Sequence, residues 1–467
     1  MNKKVYFLAA IAAVSFASCS NNDGAESIDN AKTQVQVSQQ AIGFDAYNSR
    51  GLTRAVTDLG ALKASGFGIF AYYTGNDDYD GQQLPSFMWN QQVTFGTDWE
   101  YEPVKYWPNE YGDNAVADET DRISFFAYGP YAAATASTGK GVNTKNIIGF
   151  TRNNYVGDPM VKYVVDFDPS TSVDLVWGRQ PATNPFVAYD GTVYNVGTEG
   201  LPWLNIKRPK YNTNEKVKFQ FDHALASLNV TVDHYADVAD YAASHAVTGD
   251  TRIWIRSITI TGLASQGALN LNNSETATNS TGTVGKALWM GINGDELATG
   301  EDLVMNDGRK DGKEGTAAAS NEKFVVMNPA LIQSAAYIDY APATKLKISD
   351  AVTGVTDAAQ NIFNSATAAD PIYVIPTGDA VKVTIAYDVE TYDANLATFL
   401  SDGKTHGSSI SNVITKNIEV ASTPLVLENG KKYTIKLHLG MNSVKVDADV
   451  TAWDDTTADA ENDFPKN

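Results

Sequence analysis

The segment Gly66–Tyr73 reads GFGIFAYY and is followed directly by TGNDD at Thr74–Asp78. Aromatic and β-branched side chains fit a pleated surface, and the Gly, Asn and Asp residues that follow favour a turn. The segment therefore predicts a strand that ends at a turn. The same signal precedes it: Thr33–Val37 alternates polar and apolar residues, and Ala41–Tyr47 continues in a similar way.

Further short strands are predicted at the spacing of a β-sandwich, without long helical patterns between them. They are expected near residues 92–95, 99–101, 104–107, 123–128, 161–167 and 173–177. The intervals are rich in Gly, Asn, Asp and Pro, which end strands. This order of elements favours an all-β fold of antiparallel sheets.

A second series of strands begins at Val217 and is expected to end at Val450. Between the two series, Gly200–Glu215 contains two prolines and several polar residues, which predicts a linker. We therefore expect an N-terminal β-sandwich at residues 33–205 and a C-terminal one at residues 206–467. The second carries a Thr-, Asn- and Gly-rich insertion at residues 273–322, which is more typical of a functional or mobile loop than of a core. Short helices are predicted at residues 235–246 and 357–363.

Charge and composition exclude several classes of function. The chain has 467 residues, 43% of them hydrophobic, and a net charge of −20. It can bury substantial cores, and its charge repels nucleic acid. Its single cysteine, Cys19, means that stability must come from packing rather than from disulfides.

The N-terminus has the features of an export signal. Lys3 and Lys4 precede an apolar run that is too short to span a bilayer comfortably, and small residues lead to Cys19. We interpret residues 1–19 as a lipoprotein signal peptide in which Cys19 is lipidated, and residues 20–32 as a flexible tether. An ordinary secretory signal with a chance cysteine is the alternative. Acyl chains on Cys19 would hold the protein at the cell outer membrane.

Catalytic, cofactor and metal sites are not predicted. The five histidines lack the spacing of zinc ligands, and there is no second cysteine to join them. No nucleophile elbow or phosphate-binding loop is recognisable. We therefore do not expect an enzyme. The eight tryptophans could offer stacking platforms for carbohydrate, although most are expected to belong to the core.

Several motifs together resemble the fimbrillin family, the type V pilins. They occur in the same order along the chain, at Trp99–Asn109, Ile123–Tyr128, Val173–Trp177, Phe221–Val230, Leu427–Thr434 and Val444–Trp453. The resemblance covers nearly all of the chain from Ile42 to Trp453. It implies two transthyretin-like β-sandwich domains in tandem, export as a lipoprotein, and a cut after an arginine that releases the first strand. A strand donated by another subunit then fills the vacated groove.

The sequence offers candidates for each part of that mechanism. The first strand would be Val35–Tyr47, and the processing site would follow Arg54 or Arg50, with Arg54 resembling the family pattern more closely. These arginines could instead line a solvated turn. The donor strand would be formed by alternate apolar residues near the C-terminus, which could equally be a last strand that stays paired in its own chain. These residues are Val444, Val446, Ala448, Val450 and Ala452.

The expected function is that of a structural subunit of a surface fimbria, polymerised by strand donation and supporting adhesion. Its partners would be other fimbrial subunits, identical or homologous, a processing protease, and the outer membrane through the lipid. A host or bacterial surface glycan or protein could act as a receptor. The alternatives are a tip or anchor adhesin of the same architecture and a glycan-binding surface lipoprotein.

Overall fold

The structure is a computed structural model. It describes residues 40–48, 59–108, 121–144, 146–166, 171–181, 183–194, 200–210, 213–234, 251–263, 266–273, 287–290, 322–325, 346–350, 360–361, 371–376, 380–400, 406–440 and 444–452. All of them lie in one compact unit, Gln40–Asn467. Nearly all the regular structure in these ranges is strand, which confirms the all-β prediction.

The elements of the first part of the chain are β1 (Phe44–Asn48), α1 (Leu59–Ser65), β2 (Phe67–Gly75), β3 (Met88–Phe95), β4 (Trp99–Glu100), β5 (Arg122–Gly129), β6 (Ile147–Phe150), β7 (Met160–Val164), β8 (Val176–Arg179), β9 (Phe186–Val187), β10 (Val193–Tyr194), β11 (Trp203–Ile206) and β12 (Val217–His223). The elements that follow are β13 (Ala226–His234), β14 (Thr251–Leu263), β15 (Gln266–Asn270), β16 (Leu288–Met290), β17 (Glu322–Val325), β18 (Leu346–Asp350), β19 (Gln360–Asn361), β20 (Ile372–Val374), β21 (Lys382–Tyr392), β22 (Gly407–Asn417), β23 (Glu419–Val420), β24 (Thr423–Pro424), β25 (Lys431–Leu439) and β26 (Val444–Ala452).

The first sheet has eight strands in the order β1-β12-β8-β5-β2-β3-β4, and β11 pairs with β5. Its central strand β2 separates two cores. Phe67 and Ile69 lie in one apolar cluster, while Phe70 and Tyr72 lie in the other. Because successive side chains point to opposite faces, a strand buried on both faces must be apolar at every position. This is why the segment starting at Gly66 is continuously apolar rather than alternating.

Among the described residues there are three further large sheets and two small ones, β10-β9 and β23-β24. One has the order β19-β13-β25-β26, with β20 on β13, and another has the order β17-β14-β21-β22, with β18 on β14. Alternate residues of β13, β21 and β25 enter one large core, as expected for sheets that pack face to face. A four-stranded sheet, β16-β15-β7-β6, joins early and late parts of the chain. The pairings are antiparallel except for β1 with β12 and β13 with β25, which are parallel.

Sheet membership does not follow the expected boundary between Asn205 and Ile206. The strand β12, which was expected to open the second sandwich, belongs to the first sheet. The expected linker is also wrong in part, since β11 lies within it and buries Trp203 and Ile206. Trp203 and Ile206 are apolar and are buried in the core when β11 pairs with β5. The prolines at positions 202 and 209 lie outside the strand and do not prevent this pairing. The division into domains at residues 33–205 and 206–467 stays a prediction.

Two other local predictions need correction. The expected insertion at residues 273–322 contains a strand, β16, which pairs with β15. Its Trp289 is buried, and the indole N–H donates to Ala224 O at 2.7 Å. The helix expected at residues 357–363 is wrong at Gln360–Asn361, which form β19 against β13. The helix expected at residues 235–246 lies outside the described residues. Helix α1 was not predicted, and Leu62 anchors it in the core.

Candidate functional site

The first described strand, β1, lies in a slot at the end of the first sheet, where β12 flanks it and the residues just before it also bond to the segment at Lys105–Trp107. It runs parallel to β12, with Phe44 opposite Val217 and Asn48 opposite Phe221. Three side chains on the inner face of β1 and just before it are almost fully buried: Ile42, Phe44 and Ala46 are 2%, 1% and 4% exposed. A strand that belongs to a core in this way contributes strongly to stability.

Hydrogen bonds hold the residues just before β1, Gln40–Gly43, from two sides. On the β12 side, Val217 N–H donates to Gly43 O at 2.9 Å. On the other side, Ile42 N–H donates to Lys105 O and Trp107 N–H donates to Gln40 O, both at 2.9 Å. Removing β1 would therefore leave backbone groups unpaired on two neighbouring segments, as well as an empty apolar slot.

Aromatic side chains form the floor of the slot. The ring of Phe44 lies 5.3 Å from that of Tyr101, 5.7 Å from that of Phe125 and 6.3 Å from that of Phe219. The Tyr101 hydroxyl also donates to Ile42 O at 2.9 Å. Burial raises the pKa of Tyr101 to about 12, so this hydroxyl remains a donor at any ordinary pH. Packing and hydrogen bonding thus select one register of β1.

The outer face of β1 is half-buried and charged. Asp45 stands opposite Lys218 and accepts a hydrogen bond from the Tyr47 hydroxyl at 3.1 Å. Burial raises the pKa of Asp45, while the charges of Lys216 and Lys218 lower it by less. Lys216 also pairs with Asp98 at 2.7 Å. A strand in this slot therefore meets two lysines on its outer face.

The last described strand, β26, contrasts with β1. It pairs antiparallel with β25, its only partner strand among the described residues, from Val444 opposite Leu439 to Ala452 opposite Lys431. Burial declines along it: Val444 is 5% exposed, Val446 and Ala448 are half-buried, and Val450 is 40% exposed. Its outer face carries exposed ion pairs of Asp449 with Lys436 and of Asp447 with Lys445. It is thus a strand with one paired edge and a partly covered apolar face.

The predicted site residues fall into two groups. Val444, Val446, Ala448 and Val450 project from one face of β26, and Ala452 ends the strand. Cys19, Arg50 and Arg54 lie outside the described residues, as does the part of the predicted first strand before Gln40. The sequence did not single out Ile42, Phe44 and Ala46 as site residues. Their alternation in Ala41–Tyr47 was nevertheless a signal from which they could have been found.

The tryptophans do not form a carbohydrate platform in the part of the chain where side chains are described. Five of them, Trp99, Trp107, Trp177, Trp203 and Trp289, are buried. Trp89 is half-buried, packs against the larger core and donates to Thr151 O at 2.8 Å. These residues therefore serve the cores.

The titratable side chains of the described residues are not grouped as a metal site. Within the described residues, no three His, Cys, Asp or Glu side chains stand together as metal ligands would. His223 binds Asp174 at 2.7 Å, and both side chains are buried. The described part of the chain also has no helix of the length and apolarity needed to cross a membrane.

Comparison with known proteins relates the chain to solved structures only. No protein family profile matches it, and no curated protein matches it significantly. A fimbrial protein from Bacteroides vulgatus matches with a TM-score of 0.51 and 20% identity, over 89% of this chain and 99% of that one. Proposed cell adhesion proteins from Bacteroides uniformis and Bacteroides ovatus match 89% of this chain and 99% and 98% of theirs. Their identities are 12% and 11%, with TM-scores of 0.35 and 0.34.

At 20% identity, what the first comparison shows is the fold. The match extends over almost the whole length of both chains, so it concerns the complete arrangement of sheets and not one sandwich. The resemblance to fimbrillins that the motifs indicated is thereby confirmed at the level of structure: the fold of this chain is the fold of a Bacteroides fimbrial protein.

Proposed function

We propose that the chain is a structural subunit of a cell-surface fimbria, exported as a lipoprotein through Cys19 and polymerised by strand exchange after its first strand is removed. The observation that carries this proposal is the position of β1. It is the first described strand, it is buried on its inner face, and it is held by β12 on one side and by the backbone at Lys105 and Trp107 on the other. The fold shared with a fimbrial protein supports the same conclusion.

The only covalent link between β1 and the sequence that follows it is the polypeptide backbone. The single cysteine cannot form a disulfide within the chain. Arg50 and Arg54 follow Asn48, the last residue of β1, within six positions and precede α1. A cut after either arginine would leave β1 held by non-covalent contacts alone.

The slot left by β1 would be filled by a strand from another subunit. An incoming strand can pair with the exposed backbone and place alternate side chains in the vacated positions. Because donor and acceptor are different surfaces, the contact is head-to-tail and does not close on itself. Repetition of the contact yields a filament, and adhesion follows from presenting that filament at the cell surface.

The donor would be β26. Among the described strands it pairs with β25 alone, and its apolar side chains are less buried than those of β1. Its alternate apolar residues are the kind of side chains that a strand slot accepts. Transfer from a partly covered edge to a fully covered slot is favourable because more apolar area leaves water.

The proposal is tested by following processing and assembly together. The chain from Ser20 is treated with an arginine-specific protease, its N-terminus is identified by mass spectrometry, and polymers are detected by electron microscopy and gel electrophoresis. We expect a new N-terminus at Gly51 or Ala55 and polymers only after cleavage. The double variant Arg50→Ala/Arg54→Ala should remain monomeric, while Arg152→Ala serves as the control. Cleavage at these sites without assembly would contradict the proposal. Retention of an acylated Cys19 in fimbriae from cells would indicate an anchor subunit instead.

A further inference from the structure

We propose that the strand entering the β1 slot comes from a second copy of this chain, and that it docks in one register, with Val444, Val446 and Ala448 in the places of Ile42, Phe44 and Ala46. This inference rests on the proposed function and adds to it the identity of the partner and the alignment of the joint. It follows from comparing two strands of the same molecule, the one that fills the slot and the one that could replace it.

The two segments share a pattern of residues, and two of their five residues are identical. Ile42–Ala46 reads IGFDA and Val444–Ala448 reads VKVDA. Both end in Asp-Ala, and in both the first and third residues are large and apolar. In the structure these residues occupy equivalent positions, since Ile42, Phe44 and Ala46 face the core of the first sheet and Val444, Val446 and Ala448 face the core against β25. A chain whose last described strand repeats the apolar pattern of its first can offer that strand to the slot of a neighbouring copy.

Side-chain size selects this register over its neighbours. A shift by one residue would turn the polar face inward, so only shifts by two need comparison. If the donor moved by two residues, Ala448 would leave most of the Phe44 position empty, and Val450 would be forced into the place of Ala46. A shift by four would put Ala448 in the place of Ile42. The proposed register leaves the smallest voids and puts alanine where alanine fits.

The charges on the outer face of the docked strand favour the proposed register only in part. In the proposed register Asp447 takes the place of Asp45 opposite Lys218, where the lysine charges favour a carboxylate over a cation. Lys445 would stand near Lys216, which is unfavourable, and a shift by two would avoid this contact. Such half-exposed charge contacts are worth less than an empty aromatic site, so packing decides the register.

Cysteine pairs across the joint test the register directly. Lys218→Cys is combined in turn with Asp447→Cys, Asp449→Cys and Thr451→Cys in the chain from Ser20, which is otherwise free of cysteine. Each variant is cleaved, assembled and oxidised. Residues opposite each other on adjacent strands lie within the range that a disulfide can bridge, whereas residues two positions away are less favourably placed. We expect a series of disulfide-linked multimers on a denaturing gel, mainly from the variant that combines Asp447→Cys with Lys218→Cys.

A packing test uses the same polymers without cross-linking. Val446→Phe should fill the Phe44 position and slow dissociation of the polymer by roughly tenfold, while Ala448→Phe should weaken the joint. A shift by two would reverse these effects. Thermal unfolding of the uncleaved variants separates any loss of folding from a loss of assembly.

The outcomes distinguish the register from the proposed function. Disulfide-linked multimers from the pair 447 and 218, with Val446→Phe stabilising the polymer, support the inference. Polymers that link mainly through 449 or 451, or through none of the pairs, overturn the register and leave assembly intact. If the cysteine-free chain forms no polymer after cleavage, the proposed function itself fails. Polymers that form only with a different fimbrial subunit would overturn the assignment of a second copy as partner.

Discussion

The strands β1 and β26 have similar patterns of residues and very different surroundings. In both, alternate residues are apolar and face a core. The inner side chains of β1 are at most 4% exposed, whereas exposure along the inner face of β26 rises from 5% at Val444 to 40% at Val450. The difference comes from the neighbours, because β1 is covered by β12 and the segment at Lys105–Trp107, while β26 pairs with β25. Strands with similar residue patterns can therefore differ strongly in how far their apolar faces are buried.

The largest expected effect is at the centre of the β1 slot. Replacing Phe44 with alanine removes a ring that contacts Tyr101, Phe125 and Phe219 and leaves a cavity. We expect the free energy of unfolding to fall by about 3–5 kcal/mol, measured by denaturant unfolding at fixed pH.

The matched change in β26 is Val450→Ala. Its side chain is 40% exposed, so we expect a loss of no more than about 1 kcal/mol. Equal losses for the two variants would contradict the contrast between the buried face of β1 and the partly exposed face of β26.

A smaller effect is expected from the hydrogen bond that fixes the start of β1. Tyr101→Phe keeps the ring but leaves Ile42 O without the Tyr101 hydroxyl. We expect a loss of about 1–2 kcal/mol in the free energy of unfolding. Hydrogen exchange at residues 42–48 should become faster, which would show that β1 itself is released more readily.

Tyr433→Phe is the control for that change. Its hydroxyl accepts the Glu428 N–H at 2.7 Å, and its side chain belongs to the larger core, not to the apolar cluster that contains Phe44. It should lower the stability to a similar extent without a selective change in exchange at residues 42–48. Faster exchange of β1 in both variants would mean that the strand opens only when the whole molecule unfolds.

The smallest expected effect depends on pH and separates the two faces of β1. The pKa of Asp45 is raised by burial, so the folded chain holds this proton more tightly than the unfolded chain. Stability is therefore lost as the pH rises from the ordinary value of 3.8 through the raised pKa. Asp45→Asn avoids this loss. It should unfold at a slightly higher temperature than the unaltered chain at pH 7, and the difference should vanish below pH 3.8.

Asp98 provides the opposite case. Its hydrogen bond with Lys216 lowers its pKa, so its contribution to stability is present above pH 3.8 and is lost as the pH falls through the lowered pKa. Asp98→Asn should therefore lower the unfolding temperature at pH 7, by a small amount because this carboxylate is largely exposed. If both variants shift the unfolding temperature in the same direction, the electrostatic description of the outer face of β1 is wrong.

Much of the strand content could be predicted because the signal is local. Alternation in Ala41–Tyr47 and Val444–Trp453 and the continuous apolar run after Gly66 each mark a strand in a single segment. The predictions of secondary structure failed where pairing with a distant strand overrides the local composition. Trp203–Ile206 lies among prolines and polar residues and still forms β11, because β5 offers an edge and a core for Trp203. Gln360–Asn361 forms a strand against β13 in a segment with helical composition.

The candidate site was predicted only in part. The apolar face of β26 could be recognised because period-two alternation is visible without knowledge of any partner. The slot could not, since it is built from residues distant in the sequence, including Tyr101, Phe125 and Val217. Nothing local in β12 shows that it lies beside β1 rather than opening a second sandwich.

By itself, the sequence determined that the chain is rich in strands, that its stability relies on packing, and which side chains share a face. These properties depend on neighbouring residues and on the twofold repeat of a strand. Only the tertiary structure decided that the inner side chains of β1 are almost fully buried, whereas those of β26 are covered only in part. That depends on contacts between segments far apart in the chain, which bury Phe44 and leave Val450 partly in water.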